Sequence, residues 1–71
     1  MESRTEIIDV KDWTMKVKSK RVTANSLWDM AVIDIKSSTG RLPDWSDADN
    51  SYETSDSAIA AGKKWAERQF K

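Results

Sequence analysis

Seventy-one residues with no cysteine, no histidine and twelve basic against twelve acidic side chains set narrow bounds. A chain this short sits near the lower limit for one self-supporting core, and no disulfide or thiolate metal site can staple it. The commonest general base and zinc ligand is missing, and zero net charge is unusual for a dedicated nucleic-acid binder.

The opening Met1–Glu6 lacks the apolar core of a signal peptide. The longest apolar run, Met30-Ala31-Val32-Ile33, is far too short to span a bilayer. These features predict a soluble, cytoplasmic chain with no membrane partner. We read residues 1–71 as one domain.

Ile8 and Val10 alternate with Asp9, which suggests a short strand over 5–10. Their parity conflicts with Trp13, Met15 and Val17, so one continuous strand needs a bulge or break near Lys11-Asp12. From Trp13 to Lys18 the alternation is strict, and a strand is predicted over 12–19. Asn25-Ser26 reads as a turn. Residues 27–36 read as a second strand. There Leu27, Ala31, Ile33 and Ile35 share one parity, and Trp28, Met30 and Val32 the other. Such a strand is central, or bulged so that its inward face switches.

Ser37-Ser38-Thr39-Gly40 ends that strand. A long unstructured loop is unusual in a small domain, so Leu42, Trp45 or Tyr52 is expected to fold back onto the sheet. A short strand at 51–53 is the alternative third strand to 5–10. Pro43 argues against a central strand in this loop.

A helix is predicted over 55–70. Thr54 or Ser55 can cap it, Asp56 suits its positive end, and Arg68 and Lys71 suit its negative end. Ala58, Ile59, Ala61, Gly62, Trp65, Ala66 and Phe70 fall in one half of the helical wheel. Gly62 costs about 1 kcal/mol of helix propensity, and close approach of the helix to the sheet would compensate. The fold class is therefore α+β: a small antiparallel sheet of two or three strands packed against one C-terminal amphipathic helix.

Sheet first and helix last, entered through Tyr52-x-Thr54-x-x-x-Ala58, resembles in topology the plant-type and integrase arm-type DNA-binding domains. Those have three antiparallel strands and read DNA with the sheet. Their arginine-rich strand face is absent here, where lysines and Arg21 stand instead, so no functional residue is carried over.

No catalytic, metal or cofactor motif is visible. Serines and threonines are many, but no histidine or cysteine can activate them, and an enzyme is not expected. Asp44, Asp47, Asp49, Glu53 and Asp56 form an acidic stretch without a basic residue. A calcium loop starting at Asp47 would carry Tyr52 where the turn glycine belongs and Ala58 where the bidentate glutamate belongs. No metal or other cofactor is assigned.

Charge is polarised: residues 10–21 carry five positive side chains and one negative, while 44–56 carry five negative. This pattern motivates a non-enzymatic protein-interaction or accessory module that steers a protein partner or associates with itself. The alternative is weak nucleic-acid binding. Lys16, Lys18, Lys20 and Arg21 would contact phosphates, and an exposed Trp28 would stack on bases.

Overall fold

The computed structural model describes residues 1–47 and 49–70. Five strands precede one helix: β1 (Glu2–Val10), β2 (Trp13–Arg21), β3 (Asp29–Ser37), β4 (Gly40–Leu42), β5 (Trp45–Ser46) and α1 (Ser55–Gln69). All pairings are antiparallel, in the order β1-β2-β3-β4, with β5 also on β3. The expected two or three strands are thus too few. Strands of two or three residues carry no readable periodicity, and β4 and β5 are of that length.

β1 and β2 form a nine-pair hairpin closed at Val10↔Trp13. The parity conflict between Ile8, Val10 and Trp13 is resolved by a two-residue turn at Lys11-Asp12, with Lys11 at φ 56°. Mirrored hairpin turns need a positive φ at this position because their twist matches that of the strands. Across the hairpin Ile8 faces Met15 and Glu6 faces Val17, so both strands present one face to α1.

β3 carries a bulge. Thr14 pairs with Lys36, yet Lys16 pairs with Ile33, so β3 holds one extra residue there. Asp34 occupies it at φ 53°. The extra residue reverses the inward parity: Trp28, Met30 and Val32 are buried before it, and Ile35 after it. Beyond β3 the chain doubles back once and runs antiparallel along its edge. Trp45 pairs with Val32, and the Tyr52 amide and carbonyl exchange hydrogen bonds with Trp28 at 2.9 and 2.7 Å.

Thr54 caps α1 by accepting from the Ser57 amide at 3.1 Å. Ala58, Ile59, Gly62 and Ala66 form the buried stripe of the helix. They meet Met15, Val17, Met30, Val32 and Ile35 in one layer between helix and sheet. α1 crosses β1, β2 and β3. It is neither long nor apolar enough to cross a membrane.

One polar side chain lies in this core. Ser19 is fully buried, and its Oγ has no hydrogen-bond partner among the described residues. An unpaired buried hydroxyl costs about 1–3 kcal/mol. Ser19→Ala is therefore expected to raise stability by about 1 kcal/mol, seen as a higher Tm. A lower Tm would show that the hydroxyl is satisfied.

Candidate interaction surface

α1 covers one side of the sheet, and no described element covers the other. The register lays out the open face as cross-strand rows. Ser3, Lys20 and Asp29 form the first, Thr5, Lys18, Ala31 and Ser46 the second, and Ile7, Lys16 and Ile33 the third. Asp9, Thr14, Lys36 and Arg41 form the fourth. Ile7 is 66% exposed, a large apolar side chain in the middle of an edge strand. Ala31 and Ile33 of β3 are partly exposed on the same face, but Lys16 and Lys18 of β2 stand between them and Ile7, so apolar and cationic columns alternate across the strands.

The cations divide into two groups. At the bulge, Asp34 collects Arg41 at 2.9 Å, Lys16 at 3.6 Å and Lys36 at 3.8 Å. Its left-handed backbone places one carboxylate among three cations and neutralises part of their charge. The Asp34 amide donates to Asp44 Oδ1 at 3.2 Å, which ties the bulge to the loop before β5. Lys18 and Lys20 lie toward the other end of β2, exposed and in no ion pair among the described residues.

Lys16, Lys18 and Lys20 thus share the open face, but Arg21 and Trp28 do not join them. Trp28 is 8% exposed and belongs to the core on the helix side. This corrects the expectation of an exposed stacking platform. The physical reason is the bulge: it gives the even residues of β3 before Asp34 the inward parity and the odd ones the outward parity. Arg21 covers Trp28 instead, with its guanidinium 4.8 Å from the ring centroid, and also pairs with Glu2. That pairing holds the Glu2 carboxyl below its ordinary range. Arg21 is a lid on the core rather than a free phosphate ligand.

The acidic loop runs along the far edge of β3. Ser46 pairs with Ala31, one strand from Lys18, and the Asp47 amide donates to the Met30 carbonyl at 3.0 Å. Lys20, Asp29, Ala31, Ser46 and Asp47 line a shared depression of about 320 Å³. Carboxylates therefore flank the lysine row within the same surface, which disfavours a polyanion. The Asp47 carboxylate accepts from the Tyr52 hydroxyl at 2.7 Å and from Asn50 at 3.0 Å. The Tyr52 bond, then the Asn50 bond, hold the Asp47 carboxyl below its usual range, and the same contact raises the Tyr52 phenol. These bonds shape the loop. Among the described residues no cluster of three or more carboxylates is arranged to hold a metal ion.

The helix side offers a second concavity. Trp45 and Trp65 stack with centroids 4.5 Å apart and planes at 10°. Trp13 stacks on Phe70 at 4.8 Å. Grooves of about 300 and 370 Å³ flank the Trp45–Trp65 pair. Its indoles satisfy one another, and both are partly buried against the core. Trp45 is thus a lid on the C-terminal end of the helix.

Sequence reasoning missed Ile7, Ala31 and Ile33 as surface residues, and Asp34 as a charge hub. The Ile7-Ile8 doublet was the available signal, because adjacent apolar residues in a strand must point to opposite faces. The chain has no significant match to any protein-family model, to any curated protein or to any solved structure.

Proposed function

We propose that this protein is a non-enzymatic interaction module that binds a protein partner through the open face of its sheet. One observation carries the reading: an uncovered sheet face sets Lys18 and Lys20, in no ion pair among the described residues, on the strand between apolar Ile7 on one side and Ala31 and Ile33 on the other. Apolar side chains left on an uncovered face, with cations among them, mark a candidate protein-binding surface. The cations select a partner segment that carries carboxylates as well as apolar side chains. Partial neutralisation by Asp34 and the flanking acidic loop favour such a mixed segment over the uniform charge of nucleic acid.

The test is affinity capture from cells that express the protein, with the captured proteins identified by mass spectrometry. Lys18→Glu/Lys20→Glu is expected to lose the partner, while Lys64→Glu on the solvent side of α1 keeps it. Equal capture by all three proteins would overturn the assignment to this face. A partner that proves to be RNA or DNA, released by Lys16→Gln/Lys18→Gln/Lys20→Gln and by salt, would replace it with the nucleic-acid reading.

A further inference from the structure

Among the described residues, the nine-residue β1 is bonded on one side only. The direction of its unpaired groups follows from the ladder. The Lys20 amide turns toward β3, where Asp29 Oδ1 accepts it at 3.1 Å. Odd-numbered β2 residues therefore bond β1, and they pair with Glu2, Arg4, Glu6, Ile8 and Val10. The amides and carbonyls of Ser3, Thr5, Ile7 and Asp9 point outward along a free edge. A long edge of this kind is a template for another strand.

From this edge we infer that the protein forms a two-fold dimer in which β1 pairs antiparallel with β1 of a second copy. Complementary charge selects a second copy as the occupant, and charge with ladder length selects the register: centring on Ser3 also opposes Arg4 to Glu2 but joins only residues 1–5. A register centred on Arg4 or on Glu6 sets like charges opposite each other. One centred on Ile7 sets Arg4 and Glu6 against Val10 and Ile8. Centring on Thr5 sets Arg4 of each copy opposite Glu6 of the other, on both sides of the axis. The same register joins Thr5 to Thr5 and Ser3 to Ile7, giving about six backbone hydrogen bonds.

The helices do not obstruct it. The two-fold axis stands perpendicular to the sheet, so both copies of α1 lie on one side. With strands about 4.8 Å apart, helices centred over β2 would lie roughly 14 Å from each other. That exceeds the 8–10 Å of direct helix packing. The gap is filled by charge already organised in the monomer. Arg4 pairs with Glu6 at 2.8 Å and with Asp56, and Lys63 reaches Glu6 at 3.2 Å. Arg4, then Lys63, hold the Glu6 carboxyl below its ordinary range. This inference does not depend on the open-face reading: it rests on the outward backbone groups of β1 and on Arg4 and Glu6, whereas that reading rests on open-face side chains, Ile7 of β1 among them.

Sedimentation equilibrium of the full chain over micromolar to millimolar concentration tests it. The expected result is a monomer–dimer equilibrium with no larger species. Amide exchange at Ser3, Thr5 and Ile7 should slow as the dimer fills. Thr5→Pro removes an outward amide that β2 does not use, and should weaken the dimer at least about tenfold. Arg4→Glu places like charges opposite each other twice and should also weaken it about tenfold. Arg4→Glu/Glu6→Arg restores opposite pairing and should return the affinity to near that of the parent. Thermal melts of each variant establish that it is folded. A strict monomer at millimolar concentration, open-ended oligomers, or a dimer indifferent to both Thr5→Pro and Arg4→Glu would each overturn the inference.

Discussion

Trp28→Ala is expected to cost about 3–5 kcal/mol, the range for emptying a buried aromatic site. A single core in a chain this short rarely supplies more than about 3–5 kcal/mol, so the variant should be largely unfolded near 37 °C. Trp28 sits where three separate parts of the chain meet. Its side chain is in the core, its backbone bonds Tyr52 in both directions, and Arg21 closes over its ring. Truncation leaves a cavity, removes a cation–π contact worth about 0.5–1 kcal/mol and loosens the segment that leads into α1. Urea denaturation followed by circular dichroism measures the loss. Trp28→Phe, which keeps an aromatic ring in the site, should recover most of it. If Trp28→Ala melts like the parent, the residue is on the surface and the nucleic-acid reading regains its stacking platform.

Trp28 also shows where sequence legibility ended. Alternation over Trp13–Lys18 was visible because each inward residue was apolar and each outward one polar. The same rule failed in β3, where both parities are apolar on either side of Asp34. The bulge makes both true in turn: Trp28, Met30 and Val32 face the helix before it, and Ile35 after it. Apolar residues at both parities left a central strand and a bulged one as alternatives, and Asp34, one of the few non-glycine residue types that visit the left-handed region, marks where the bulge falls. The break near Lys11-Asp12 was legible from the parity conflict, but not as a tight hairpin turn, because it lacks the Asn-Gly or Asp-Gly signal. Without the turn, Ile8 and Val10 seemed out of phase with Trp13. With it, they face the same core.

The helix was more legible because its signals are local. Thr54 is the cap, Asp56 lies in the first turn and Arg68 in the last. Its apolar stripe fixed which side meets the sheet. The open face was half legible. A lysine row follows from alternation in one strand. Its neighbours depend on register across three strands, and register is set by the type of the turn and the position of the bulge, which alternation suggests without fixing. Asp34 thus belongs to both problems: its backbone makes the bulge, and its carboxylate gathers Lys16, Lys36 and Arg41.

Gly62→Ala is expected to destabilise the protein by about 1–3 kcal/mol, the range for overpacking a filled core. Propensity alone argues the opposite, because alanine at a helix interior gains about 1 kcal/mol over glycine. The contact geometry decides the sign. A Cβ at Gly62 would lie 2.4 Å from Val17 Cγ1, 3.1 Å from its Cγ2 and 3.3 Å from its Cβ. Rotating Val17 can turn its Cβ hydrogen toward the new methyl, but the 3.3 Å contact with Val17 Cβ stays, and a β-branched side chain in a filled core has few rotamers to choose from. Val17 is fully buried in the centre of β2, so its backbone cannot retreat without moving the sheet. The helix must lift instead, and the contacts of Ala58, Ile59 and Ala66 open with it. A double-mutant cycle isolates this contact. Val17→Ala alone should cost about 1.5–3 kcal/mol from lost burial. The pair Gly62→Ala/Val17→Ala should cost less than the sum of the singles, by about 0.5–3 kcal/mol, because the new methyl enters the space the valine leaves. Strict additivity in chemical denaturation, or a Gly62→Ala variant more stable than the parent, would mean that α1 does not seat on Val17.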